Sequence, residues 1–162
     1  MREITDIPNT WCPIAGFRAL KFFLALATKY KQRVYQLDFI AAFLQSNVIG
    51  RKFTILPKEW KEWFPDLAQW FGRPLKLQKS LYGDRVANLA WDETQASWLT
   101  SPEIGFVRLT TEGSLYVKHV GEHFILVLNA VDDQLYFSTS PELKEWFERE
   151  TQKKFRVELM GQ

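Results

Sequence analysis

The sequence predicts an α+β fold in which one antiparallel sheet is covered by helices on one face. Two long segments place apolar residues at helical spacing, and a series of apolar strands separated by turn residues fills the C-terminal part. Both kinds of element are mixed along the chain with no internal repeat or low-complexity linker, so a single layered domain over 1–162 is expected. A length of 162 residues suits one domain with its own core. A hydrophobic share of 46% against 25% charged residues excludes a disordered chain.

Residues 13–29 (PIAGFRALKFFLALATK) read as the first helix, with Pro13 in its first turn and Phe17, Leu20, Leu24 and Ala27 at helical spacing. VYQLDF (34–39) is a short strand with a carboxylate at its exit, and IAAFLQ (40–45) turns a helix from there. KFTILP is a second strand closed by Pro57. Residues 58–72 hold Trp60, Trp63, Trp70 and Phe71 at uneven spacing, a long connection expected to pack its aromatics on the body. PLKLQKSLYG is a strand ending in a glycine turn. ANLAWDETQASWLTS (87–101) is the second long helix, with Leu89, Trp91, Trp98 and Leu99 for its core face. The strands GFVRL, SLYVKHV, HFILVLNAV and QLYFSTS follow, the last two flanking Asp132-Asp133 as the tip of a hairpin. Ser140 caps a final helix with Pro141 in its first turn, and FRVELMGQ closes as a strand.

Net charge is only +2, so the overall balance does not advertise a polyanionic partner. Basic residues nevertheless cluster at Lys29, Lys31 and Arg33, at Arg73, Lys76 and Lys79, and at Lys153, Lys154 and Arg156. Taken singly each is a solvated face; phosphate binding gains weight where the fold brings two clusters together. A lone Cys12 makes no internal disulfide, and with two histidines there is no Cys/His zinc set. With no secretory leader and no apolar run of membrane-spanning length, a soluble intracellular protein without membrane association is expected.

Three aspartates follow apolar strands where a charge is unexpected: Asp38 after VYQL, and Asp132-Asp133 after FILVLNAV. If the two strands are neighbours, their carboxylates meet. Like charges that close raise one another's pKa unless a cation neutralises them. Hard oxygen ligands of this kind favour Mg²⁺. Each residue also has a structural explanation: Asp132-Asp133 as an ordinary turn, Asp38 as a helix cap. Chemistry alone stops at a divalent-metal site.

The order of segments goes further. WCPIAG, VYQLDFIAAFLQS, FTILPKEW, LKLQKSLYGDRVANLAW, EGSLYVK, ILVLNAVDD and ELMGQ occur in succession. Over nearly its whole length the chain resembles the reverse transcriptase of copia-type LTR retrotransposons, with KSLYG and QLDxxxAFL nearly verbatim. The resemblance implies a palm with partial fingers and no thumb, active as an RNA-directed DNA polymerase. It implies Asp38, Asp132 and Asp133 as catalytic metal ligands, with the Phe39 carbonyl as a further ligand. The cofactor implied is Mg²⁺, with Mn²⁺ as a substitute. Phe43 falls on the aromatic gate that selects deoxynucleotides; without the family match it is a buried core residue. Arg85 and Lys79 are candidates for nucleotide phosphates. Ala130, Val131, Met160 and Gly161 fall in the primer region.

Departures from the family pattern accompany these matches. Where the family has SLYGLKQAPRAW, this chain has SLYGDRVANLAW, so Val86 replaces a glutamine and Asp84 a leucine. Ala130 stands where the family has a tyrosine. The preceding finger strands, a thumb and an RNase H domain are expected to be missing. The implied partners are an RNA or DNA template with primer, a dNTP, and a second copy of the chain through apolar surface left uncovered. The implied location is a cytoplasmic retrotransposon particle or the nucleus. Two other classes stand beside this reading: a catalytically impaired palm acting as a nucleic-acid-binding or assembly module, and a different two-metal phosphoryl-transfer enzyme.

Overall fold

The computed structural model describes residues 10–160. Its main sheet has six strands: β1 (Tyr35–Phe39), β4 (Val107–Arg108), β5 (Leu115–Val120), β6 (His123–Ala130), β7 (Asp133–Ser138) and β8 (Val157–Met160). Their order is β4-β5-β6-β7-β1-β8, and every neighbouring pair is antiparallel. The early strand β1 therefore inserts between two late ones, which brings Asp38 beside the hairpin that carries Asp132 and Asp133. β2 (Phe53–Thr54) and β3 (Leu75–Lys76) form a separate two-stranded ribbon, much shorter than KFTILP and PLKLQKSLYG suggested.

Helices lie on both faces of the sheet, which corrects the expectation of one covered face. On one face Leu37, Ile125, Val127 and Tyr136 pack with Leu143 and Phe147 of α5 (Pro141–Lys154) and Leu99 of α4 (Ala87–Leu99). On the other, Leu126, Leu128 and Phe137 pack under α1 (Phe17–Lys29). β6 is thus apolar on both sides, the physical reason HFILVLNAV reads as a continuous run rather than an alternation. The buried stripe of α1 is Ala19, Phe23 and Ala27, one turn apart, whereas Phe17 and Leu24 are exposed. The Phe23 ring meets Phe137 edge-on at 5.2 Å.

Local signals account for several boundaries. Gly16, not Pro13, precedes the first turn of α1. Ser140 caps α5, its Oγ accepting from the Leu143 N–H at 3.2 Å. The helix after β1 shrinks to α2 (Ala42–Gln45) because Ala41 adopts a left-handed conformation, φ 51°. Residues 58–72 form α3 (Trp60–Trp63) and a 3₁₀ turn (Pro65–Trp70), neither of which has a buried residue. Trp63 is 69% exposed and Trp60 and Trp70 about 40%, so these aromatics do not pack on the body as expected. Among the described residues no helix is long and apolar enough to cross a membrane.

Candidate active site

α1 covers β5, β6 and β7; its apolar cluster contains no residue of β1 or β8. Beyond that cluster the same face carries Gln36, Asp38, Asp133 and Glu158, with Met160 at its edge. Antiparallel register sets Asp38 directly opposite Asp133 on one side and Glu158 on the other. Partners in register point to the same face, so three carboxylate-bearing positions form one row across β7, β1 and β8. Gln36, two residues before Asp38 on the same face, donates through Nε2 to Asp133 Oδ1 at 2.8 Å.

Asp132 occupies the turn itself. The β6–β7 ladder closes with Ala130 opposite Asp133, leaving Val131 and Asp132 as the two-residue loop. Val131 has φ 55°, a conformation favoured by glycine and disfavoured for a β-branched residue, costing on the order of 1–3 kcal/mol. The turn is tied from two directions. Trp91 Nε1 donates to the Val131 carbonyl at 2.7 Å, and the Phe39 N–H donates to the Asp132 carbonyl at 2.9 Å. Asp132 Oδ1 is buried with no hydrogen-bond partner among the described residues. Burial raises the Asp132 pKa above its ordinary value, and the Asp38 and Asp133 charges raise it further.

Among the described residues, no three His, Cys, Asp or Glu side chains are gathered closely enough to hold a metal ion. Two carboxylates nonetheless match the demand of Mg²⁺, which keeps several waters and substrate phosphates in its shell. The orphaned Asp132 oxygen beside Asp38 fits that donor chemistry.

The other expected residues divide. Phe43 is 8% exposed and packs with Phe39, Ala42, Ala87, Trp91 and Phe155, in the core position its alternative reading gave. Its ring lies 4.7 Å from that of Tyr82, which is largely exposed. The Tyr82 phenol is raised above its ordinary pKa, first by partial burial and then by Asp132 and Asp38, so it lies within their field. Lys79 Nζ donates to Asn47 Oδ1 at 3.0 Å, next to the end of α2. Arg85 is exposed. Asp84 is absorbed by an ion pair with Lys52. Met160 lies in β8 opposite Gln36, and Gly161 falls outside the described residues.

Gln45 links Lys79 to the backbone that follows α5. Gln45 at the end of α2 accepts from Lys79 through its carbonyl and from the Arg156 N–H through Oε1, at 3.5 and 2.8 Å. A cleft of about 620 Å³ between α4 and residues 47–49, with Lys154 on its rim, contains none of the aspartates. Sequence reasoning missed Gln36, Tyr82, Trp91 as a donor, and Glu158. The strand period of two flags Gln36 two residues from Asp38; Tyr82 and Trp91 stand inside the KSLYG and LAW words already singled out.

Comparison with known proteins agrees with these motifs. The family described as "Reverse transcriptase (RNA-dependent DNA polymerase)" matches residues 2–162. The chain is 28% identical over 138 residues to the "Retrovirus-related Pol polyprotein from transposon RE1" of Arabidopsis thaliana, covering 85% of this chain and 9% of that protein. It is 28% identical over 130 residues to the corresponding polyprotein from transposon RE2 of the same plant, covering 80% and 8%. The chain thus spans less than a tenth of the length of these curated relatives. No solved structure matches it. The chain belongs to the reverse transcriptase (RNA-dependent DNA polymerase) family, on the copia-type retrotransposon side that its motifs resemble.

Proposed function

We propose that the chain is the palm-containing core, over 1–162, of an RNA-directed DNA polymerase that joins a dNTP to a primer 3′-hydroxyl. The observation that carries this reading is the partnerless, buried Asp132 Oδ1 beside Asp38 on the uncovered part of the sheet face. Asp38 and Asp132 are the side chains that hold Mg²⁺, or Mn²⁺ in its place, with the Phe39 carbonyl as a further ligand. Asp133, already bonded to Gln36, serves the outer edge of the site. The bound cation supplies charge neutralisation for the triphosphate and a more acidic primer hydroxyl. Phe43 and Tyr82 wall the sugar position, and Arg85 and Lys79 offer charge to phosphates. Val131, Ala130 and Met160 border the primer end. Template and primer are held through their backbone, without base-specific readout.

A second reading is favoured by the altered residues around the site. Val86 is buried where the family pattern has a polar side chain, and Ala130 offers the primer end no aromatic ring. On that reading the chain binds nucleic acid, or assembles with other chains, without turnover. Primer extension on poly(rA) with Mg²⁺ or Mn²⁺, run beside a binding titration, separates the two. We expect extension by the wild-type chain and none by Asp132→Asn, which still folds and, without metal, melts no lower than the wild type. Binding without extension favours the module. Loss of folding in Asp132→Asn would argue that the acidic pair is only a turn.

A further inference from the structure

The hairpin that carries Asp132 lacks the residues that form a tight turn unaided. Two-residue hairpin loops prefer Asn-Gly, Asp-Gly or a leading glycine, because the first loop residue needs positive φ. Here that residue is Val131 at φ 55°. What holds it comes from α4. Trp91, 1% exposed, is wedged between Phe39 at 5.0 Å and Phe155 at 5.4 Å and aims its indole N–H at the Val131 carbonyl. One turn later on the same helix, Gln95 accepts from Asn129 Nδ2 at 3.2 Å, and Asn129 Oδ1 accepts from Gln134 Nε2 at 2.6 Å. Asn129 and Gln134 face each other across the hairpin, one pair below Ala130 and Asp133.

These three amides are 2%, 3% and 1% exposed. Gln95 Nε2 and Gln134 Oε1 have no partner among the described residues. A half-satisfied buried polar chain is costly, and apolar residues would fill the same space better. Its geometry suits one task, fixing the height and register of the loop above it.

We infer that Trp91 and Gln95 are positioning residues, through which α4 clamps the strained Val131-Asp132 turn and sets the Asp132 carboxylate against Asp38. α4 follows directly on Asp84 and Arg85, so the segment beside the site and the acidic turn are joined by one helix. Where the inference concerns metal binding, it rests on the reading of Asp132 given above.

The test uses the whole chain as wild type, Trp91→Phe, Gln95→Met, Asp132→Asn and the double variant Trp91→Phe/Val131→Gly. Amide hydrogen exchange is followed for residues 129–134, with β5 as the internal reference. Trp91→Phe speeds exchange at the hairpin while β5 keeps its protection, and Gln95→Met acts in the same direction. Glycine at 131 accepts the left-handed conformation without strain, so the double variant regains protection. Wild-type exchange in Trp91→Phe overturns the inference; so does equal acceleration in β5, which marks general loosening, or failure of the double variant to recover. In parallel, Mn²⁺ affinity is read by electron paramagnetic resonance of the free ion. Residues that orient a ligand commonly change metal affinity by about 10–100-fold, so Trp91→Phe should weaken Mn²⁺ about tenfold while Asp132→Asn removes binding. If the wild-type chain binds no Mn²⁺, the metal reading falls, and the exchange measurement still decides the clamp.

Discussion

Asp132 concentrates the chemistry of the site in one side chain. Its folded pKa is raised by burial first, then by Asp38 and Asp133, so the folded state disfavours the charged form. The sign of the linkage follows. Below the ordinary carboxylate range Asp132 is protonated in both folded and unfolded chains and costs nothing. As pH rises through that range toward the raised folded value, the unfolded state ionises more readily and stability is lost. Asn at 132 removes the charge with little change in shape. In EDTA, Asp132→Asn should therefore melt above the wild type at pH 7, and the two should converge below about pH 4, near the ordinary aspartate value. A wild type that gains stability with pH over this interval, relative to Asp132→Asn, would contradict the buried and crowded carboxylate. Adding Mg²⁺ should raise the wild-type melting temperature alone, because an ion bound only by the folded chain stabilises it.

At the scale of elements, burial sorts aromatic residues that look alike in sequence. Phe23 of α1 is fully buried against Phe137, whereas Trp63 of α3 is 69% exposed. Phe23→Ala should cost about 3–5 kcal/mol by urea unfolding, while Trp63→Ser should stay within about 0.5 kcal/mol. Equal losses would mean that residues 58–72 pack on the body after all. The contrast also marks what could be read in advance. α5 and its Ser140 cap, α4, and the strands β1 and β5 to β7 were legible because local periodicity and capping chemistry specify them. The coverage of both sheet faces was not, since the two-sided apolar run of β6 fixes strand identity but not what lies above each face. α1 misled because its apolar arc is wide, running from Phe22 past Phe23 to Leu24 and Phe17 at its edge, so Phe17 and Leu24 had the same claim to the core as Phe23. Gln95 escaped notice on α4 because a polar residue on a core-facing stripe shows its partner only in three dimensions. The juxtaposition of Asp38 with the hairpin depended on β1 pairing with β7, a contact across about a hundred residues that no local signal encodes.

Across the whole molecule, charge is distributed more unevenly than the net +2 suggests. Residues 51–76 hold six basic and three acidic residues, a balance of +3, which leaves the rest of the chain at −1. The same stretch carries exposed Phe53, Ile55, Trp60, Trp63, Phe64 and Trp70. Basic residues interleaved with exposed rings are what a polynucleotide backbone and its bases favour, and exposed rings without such a partner favour self-association. The two causes respond oppositely to salt: phosphate contacts weaken as salt rises, whereas apolar association persists or strengthens. Binding of an RNA–DNA hybrid, measured from 50 to 200 mM salt, should therefore fall steeply. Replacing Lys58, Lys61, Arg73 and Lys76 by Gln should flatten the slope of log affinity against log salt by roughly 0.7–0.9 for each phosphate contact removed. Sedimentation of the same quadruple variant should show undiminished self-association, since its aromatic residues are intact. Trp63→Ser and Trp70→Ser together should reduce self-association and leave the salt slope in place. An unchanged slope in the quadruple variant would assign the nucleic-acid footprint to basic residues elsewhere, such as Lys79 and Arg156, whose Nζ and backbone N–H respectively bond Gln45.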